Sequence, residues 1–566
     1  MLNGIGASDG YGIGKVFVLT EQNLEYTPKT NCKKEEELER YKQAVEIFCK
    51  KTEKSAAKMK ESIGEKEAQI LSGHILMIKD PYMNSEIEKL IDGGTCAESA
   101  LESICDMFVM IFSSADDELT RQRAADVKDI KAGVLSVLLG REETELSDAP
   151  ENSILVAKDL TPSMTAGINH KNIVGIVTEF GGKTSHSAIL ARAMGIPAVL
   201  SVTDASMLLK NGQSLIVDGI SGNVIVNPDD AEIKEYTEKR RIFTEQKKML
   251  SKFIGKETKT SDGIQFELLM NIGKPKDALD ATDCDAEGVG LFRTEFLFMD
   301  RTSAPTEDEQ FDAYKTVAVS LKNKPVIIRT LDIGGDKEIP YMGLKKEQNP
   351  FLGFRAVRYC LKNTDLYKTQ LRAILRASAF GDIRIMVPLV TRVDELREVK
   401  KLVKEISAEL KKDGIGFNEN IKVGVMIETP AASLIADLLA READFFSIGT
   451  NDLTQYTMAV DRGNAEVADI YSAFNPAVLR SIEHIIEAAK ANETPVGMCG
   501  EAAADKKMIP LLISFGLNEF SVTPASVLNT RKLISQWSKE KADKVAEKAM
   551  SLSTEKEISE FLDTVI

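Results

Sequence analysis

The chain has 566 residues, a formal net charge of −15, and 43% hydrophobic and 28% charged residues. The length predicts about three domains, and the residue mix is that of a soluble globular protein. The acidic balance excludes a general nucleic-acid binder, which needs a basic face, and no apolar stretch approaches the length of a membrane span. The opening Met1-Leu2-Asn3-Gly4 has neither the charged nor the apolar region of a signal peptide. The seven cysteines are odd in number and form no Cys-x-x-Cys pair, which fits a reduced, cytoplasmic protein.

In chain order, residues 1–20 combine a glycine-rich entry with a short strand, Lys15 to Leu19. Residues 33–140 then carry apolar side chains at helical spacing: Leu38, Tyr41, Val45 and Phe48; Leu71, Ile75 and Ile78; Leu101, Ile104, Phe108 and Phe112; Val127, Ile130, Val134 and Leu138. With breaks near Gly64, Asp80-Pro81, Gly93-Gly94 and Gly140, this predicts a bundle of about four helices. Short β runs return from Ser153: Ile154–Ala157, Ile173–Thr178, Ala198–Val202, Ser214–Asp218 and Val224–Val226. The first strand is expected to join them, which makes the bundle an insertion. A charged helix over 229–253 reads as a semi-rigid linker.

From about 260 onward the pattern alternates between strand and helix. Eight strands are expected: Phe266–Asn271, Gly288–Phe292, Val326–Arg329, Arg384–Val387, Lys422–Ile427, Phe445–Ile448, Pro495–Met498 and Glu519–Val522. Eight such units predict a TIM (β/α)8 barrel, whose chemistry sits where the strands end.

Two constellations carry chemistry. The first is Gly181-Gly182-Lys183-Thr184-Ser185-His186, followed by an apolar helical run. Glycines let backbone N–H groups approach an anion, and a helix N-terminus favours negative charge. A histidine there reads as a nucleophile that takes up phosphate, or more simply as a loop residue that caps a helix. The second constellation is polar residues at strand ends. Arg293 and Arg329 suit a phosphate, and Glu428 and Asp452 are hard oxygen ligands that suit Mg²⁺. Asn451 and Cys499 lie beside them. Taken singly, each also has an ordinary reading: a surface ion pair, a turn, a small core thiol.

Gly181 to Ala188 resembles the phosphohistidine signature of the phosphoenolpyruvate-utilising enzymes. The runs Gly290-Leu291-Phe292-Arg293-Thr294-Glu295-Phe296-Leu297-Phe298, Asp332 to Lys337, Asn349 to Gly353, Ile448 to Tyr456 and Asp461-Arg462-Gly463-Asn464 look like the enzyme I group of that family. The similarity extends over essentially the whole chain.

The resemblance implies a fold of several α/β parts. A phosphohistidine domain would comprise 1–20 and 145–228, and an inserted helical domain that binds the carrier protein HPr would comprise 21–144. A linker would cover 229–260, and a phosphoenolpyruvate-binding, dimerising barrel 261–566. It implies transfer of phosphate from phosphoenolpyruvate to His186 and on to HPr, with Mg²⁺ as cofactor and pyruvate as product. Thr165 would support His186; Arg293, Arg329, Arg462 and Lys337 would hold phosphate; Asn451 would contact substrate. Glu428 and Asp452 would bind the metal, and Cys499 would protonate enolpyruvate. A homodimer is expected, without nucleic acid or membrane insertion. His74 could touch the carrier or be a bundle residue. Ala502-Ala503-Ala504 after Cys499-Gly500-Glu501 departs from the family's usual glycine. A dikinase or synthase that also uses ATP, and a docking protein without chemistry, are the competing readings.

Overall fold

A computed structural model describes residues 1–566 apart from 20–23, 30–31, 63–64, 115–117, 142–148, 162–163, 165–171, 183–184, 280–283, 300, 335–336 and 338. For 61–62, 65–67, 118–119, 121–122, 186 and 340 it describes the backbone alone. The chain forms two compact units, residues 1–247 and 248–566.

The strands of the first unit are β1 (Leu2–Asn3), β2 (Ile5–Ser8), β3 (Tyr11–Val18), β4 (Ser153–Ala157), β5 (Ile173–Thr178), β6 (Ala198–Leu200), β7 (Ser214–Asp218) and β8 (Asn223–Val226). They make one sheet in the order β1-β8-β7-β3-β4-β5-β6-β2. Strand β3 pairs in parallel with β4, from Lys15 opposite Ser153 to Val18 opposite Val156. The polypeptide therefore leaves the sheet after β3 and returns at β4, with the helices between. Strand β3 begins at Tyr11, four residues before the expected start. Gly12 and Gly14 hide it from an apolar count, yet the sheet needs them: a Cβ on Gly12 would meet the Val174 carbonyl oxygen at 2.3 Å.

The insertion holds five helices rather than four: α1 (Lys34–Ser62), α2 (Glu65–Ile78), α3 (Pro81–Asp92), α4 (Ala97–Ser113) and α5 (Glu118–Leu138). The helix with no apolar face among the four read is α3, whose buried face is the short run Met83, Ile87 and Ile91. Tyr41, Phe48, Ile87, Leu101, Ile130 and Val134 form the bundle core. His74 is 1% exposed and lies inside the bundle. Its Nε2 is 3.3 Å from Asp126 Oδ1 and its Nδ1 is 3.8 Å from Asp129 Oδ2. Of the two readings of His74, the buried one is what the fold shows.

Helix α6 (His186–Met194) packs on the bundle through Leu190, which meets Met59 of α1 and Leu71 of α2. The charged helix α7 (Asp230–Leu250) follows β8, and the boundary between the two units falls near its end.

The second unit is built on β9 (Glu267–Ile272), β10 (Val289–Arg293), β11 (Val326–Arg329), β12 (Ile383–Val387), β13 (Lys422–Ile427), β14 (Phe446–Ile448), β15 (Val496–Met498) and β16 (Glu519–Val522). These eight parallel strands close into a barrel in chain order, β16 pairing with β9. Each observed strand lies within one residue of the span expected from sequence at both ends. The reason is burial on both faces: runs such as Val326–Arg329 and Val423–Ile427 are almost wholly buried, and parallel strands with covered faces read as continuous apolar runs. Among the described residues no helix is long and apolar enough to cross a membrane.

Candidate active site

The run Gly181 to His186 begins with Gly181 at φ +109°, a backbone state that glycine adopts without strain. Ser201 Oγ donates to the Gly181 carbonyl at 2.6 Å. Ser185 caps α6, its Oγ accepting from Ala188 N–H at 3.3 Å, so His186 is the first residue of the helix. Gly195, at φ +66°, ends α6 in the left-handed conformation. The buried Ser187 donates to Asp159 Oδ1 at 2.7 Å and accepts from Leu160 N–H at 3.3 Å. This ties the loop after β4 to the start of α6. The side chain of His186 and all of Thr165 lie outside the described residues.

The barrel carries a cavity of about 430 Å³ at the ends of its strands. Arg293, Arg329, Lys337, Glu428, Asn451, Asp452, Arg462 and Cys499 all line it. The strand ends explain the convergence. Arg293 and Arg329 are the last residues of β10 and β11, and Glu428 and Cys499 directly follow β13 and β15. Asn451 and Asp452 open helix α8 (Thr450–Met458) just beyond β14.

Arg329 is 8% exposed and fixed from two sides. Its Nη2 donates to Glu295 Oε1 at 2.7 Å, and its Nη1 lies 3.2 Å from Asp332 Oδ2. Arg355 repeats the arrangement, with Nη2 2.8 Å from Asp332 Oδ1 and 3.4 Å from Asp452 Oδ2. Asp332 thus sits between two guanidinium groups. Burial alone would raise its carboxyl, but Arg329 and Arg355 outweigh that and hold it below the usual carboxylate range. Glu428 goes the other way. Burial, with Asp452 and Asp332 nearby, pushes it up to about 8, although Arg329 and Arg355 pull it back. Its Oε1 accepts from Leu389 N–H at 2.7 Å.

Asp452 Oδ1 is buried with no hydrogen-bond partner, and Arg462 Nη1 is 3.7 Å away. An orphaned carboxylate oxygen beside a second, proton-holding carboxyl is the environment that a divalent cation relieves. Among the described residues no cluster of three or more metal-binding side chains is present. Two protein carboxylates suit Mg²⁺, which keeps water and takes substrate oxygens.

Cys499 is 2% exposed. Burial pushes its thiol up to about 11 against the opposing pull of Ser447, Arg329 and Arg293, so it carries its proton at neutral pH. Asn271 holds the Cys499 carbonyl through Nδ2 at 3.0 Å. A Cβ on Gly500 would fall 1.8 Å from Thr450 Oγ1, so the next turn requires glycine there. No residue of 500–505 has a positive φ; Ala502-Ala503-Ala504 fits its 3-10 turn without backbone strain.

Sequence reasoning missed three groups here: Glu295, Asp332 and Arg355. The first two lay inside quoted motifs but had no role. Arg355 stands two residues past the quoted Asn349–Gly353 run, and nothing in its spacing marks it.

Comparison with known proteins shows the family of the chain. Residues 247–539 match the family model described as PEP-utilising enzyme, PEP-binding domain; 149–222 match the mobile domain and 3–123 the N-terminal domain of the same enzymes. The phosphoenolpyruvate-protein phosphotransferase of Bacillus subtilis (strain 168) is 45% identical over 99% of this chain and 99% of its own. That of Geobacillus stearothermophilus is 44% identical over 99% of this chain and 97% of its own. A solution structure of an enzyme I protein is 33% identical, covering 43% of this chain and 100% of its own, at a TM-score of 0.39. The chain belongs to the phosphoenolpyruvate-utilising enzymes, in the phosphoenolpyruvate-protein phosphotransferase (enzyme I) family.

Proposed function

We propose that this enzyme moves the phosphoryl group of phosphoenolpyruvate to His186 and from there to a histidine of the carrier protein HPr, releasing pyruvate. Family membership makes the reaction a phosphoenolpyruvate-dependent phosphotransfer of the sugar phosphotransferase system. The observation that carries the finer reading is the convergence of Arg293, Arg329, Lys337, Arg462, Glu428, Asp452 and Cys499 on one cavity.

In this reading the arginines and Lys337 bind the phosphate, and Asn451 orients the substrate. The backbone of Asn451 is itself held: its main-chain carbonyl accepts from Tyr471 Oη at 3.1 Å. Glu295 and Asp332 keep Arg329 aimed before substrate arrives, so little reorganisation is needed as charge develops. Glu428 and Asp452 would hold Mg²⁺, which when bound neutralises charge on phosphate oxygens. The imidazole of His186 takes the phosphorus as its bond to the enol oxygen breaks. The enolate carbon then takes the proton of Cys499, giving pyruvate, and the thiolate recovers a proton from solvent. Thr165 would support the imidazole.

His186 belongs to the first unit and the cavity to the second, so in this reading groups of both units take part in the transfer before the phosphoryl group passes to the carrier. The helical insertion, α1–α5, would dock HPr, and the barrel would form a homodimer. The expected extents, 1–20 with 145–228, 21–144, 229–260 and 261–566, describe that division of labour, which would take place in the cytoplasm.

Intact-mass measurement tests the reading. Wild type given phosphoenolpyruvate and Mg²⁺ should gain one acid-labile phosphoryl group, chased onto HPr, and His186→Ala should gain none. No gain in folded wild type would leave a docking protein; a gain that requires ATP would make the enzyme a dikinase or synthase.

A further inference from the structure

The barrel has a second cavity, at the end where its strands begin, of about 720 Å³. Four charged residues in its wall come from the first turns of strands: Glu267 in β9, Arg384 in β12, Lys422 in β13 and Glu519 in β16. Their register sorts them by sign. Glu519 is opposite Glu267 across the β16–β9 pair, and Arg384 is opposite Lys422 across the β12–β13 pair. In the closed strand order these two pairs stand four strands apart, on facing walls. Among the strand starts one wall carries a carboxylate pair and the other a cation pair; Glu257, Glu287 and Glu493 add further carboxylates to the lining.

The inner end is unsettled. Glu519 is 8% exposed, and its Oε1 is buried without a hydrogen-bond partner. It lies over two glycines: a Cβ would come within 2.8 Å of it from Gly290 and within 2.9 Å from Gly497. Arg384 spends one side of its guanidinium on Asp382, 2.8 Å away. Burial pushes Glu519 up to about 8, Glu267 adds to this, and Arg384 only partly opposes it. Lys422 and Lys490 stand exposed in the wall.

A simple anion would meet Glu519 and Glu267, and a simple cation would meet Arg384 and Lys422. Among the described residues no metal-binding cluster exists. A molecule with both charges satisfies both walls. We propose that this cavity binds a small zwitterion, an amino acid, with its ammonium on Glu519 and Glu267 and its carboxylate on Arg384 and Lys422. The inference does not depend on the phosphoryl chemistry at the other end of the barrel. Because the empty site holds a proton on Glu519, an arriving ammonium displaces it into the buffer.

The test is calorimetry on the full-length protein at neutral pH, with L-alanine, L-glutamate and L-lysine titrated singly, in Pipes and in Tris buffer. Saturable binding of at least one is expected, with about one proton released between the two buffers' heats. Lys422→Ala and Glu519→Gln should each weaken binding by about tenfold or more. Lys422 is exposed, so its variant folds even if the buried change at Glu519 does not. Three results overturn the proposal: no saturable heat with any of the three, unchanged affinity in Lys422→Ala, or acetate or methylammonium alone binding as tightly as the amino acid.

Discussion

The two ends of the barrel are made by the same eight strands and settle charge in opposite ways. At the C-terminal rim the buried guanidinium groups are paired with carboxylates: Arg329 reaches Glu295 and Asp332, and Arg355 reaches Asp332 and Asp452, while Glu428 among them holds a proton. At the other end like charges stand side by side, Glu519 by Glu267 and Arg384 by Lys422. The difference comes from the loops. Loops that follow the strands bring Glu295, Asp332 and Arg355 from separate parts of the chain. On the floor the like-charged pairs come from the strand starts themselves, and segments outside the strands add Glu257, Glu287, Lys490 and Glu493. The paired arginines of the rim are organised before substrate arrives, whereas on the floor Glu519, with no hydrogen-bond partner at Oε1, holds a proton beside Glu267.

Breaking the rim has the largest expected effect. Arg329→Ala leaves Glu295 and Asp332 buried without one of their cations, and removes a phosphate contact. Phosphoenolpyruvate-dependent phosphorylation, followed by rapid quench, should fall by about 10³-fold or more. Arg329→Lys should recover little of it, because an ammonium cannot span both carboxylates as the planar fork does. If the lysine variant restores the wild-type rate, the fork geometry is irrelevant. Cys499→Ala comes next. Pyruvate formation should slow by about 10²-fold while phosphoenolpyruvate affinity is kept; an unchanged rate would remove Cys499 from the chemistry.

The floor breaks differently, through stability. A Cβ on Gly290 would lie 2.3 Å from Ser521 Oγ and 2.8 Å from Glu519 Oε1. Gly290→Ala should therefore cost about 1–3 kcal/mol, read as a lower denaturant midpoint. A midpoint at or above wild type would mean that Glu519 and Ser521 shift without cost.

How much of this could be read from sequence follows the same division. The barrel strands were legible because they are buried on both faces and read as unbroken apolar runs. Arg293, Arg329, Glu428 and Cys499 were legible because each ends such a run, where a barrel places chemistry. Arg355 was not, since its role is set by a distant loop that brings it to Asp332 and Asp452. The early start of β3 was hidden by Gly12 and Gly14, whose value is close backbone approach rather than apolar surface. Helix α3 was hidden because only Met83, Ile87 and Ile91 mark its buried face, although its bounding breaks were legible. The sign-sorted floor was also invisible, because register and closure decide which strand starts face one another, and neither is written in any one segment.

A pH-dependent effect of no greater size tests the floor directly. Glu519 faces Glu267 from β9 and Arg384 from β12, and burial holds its carboxyl at about 8 instead of the ordinary 4.5. Between those values the folded protein binds a proton that the unfolded chain has released. Stability therefore falls as pH rises through that window, which is opposite in sign to the contribution of a salt-bridged acid such as Asp332. Glu519→Gln has no proton to lose. Its stability relative to wild type should rise by about 1–3 kcal/mol between the two ends of the window, less than the full linkage value because water enters an open cavity. Denaturant unfolding of both proteins at matched pH values measures this. If the two curves run parallel, Glu519 is ionised in the fold, Arg384 settles it after all, and the floor is built like the rim.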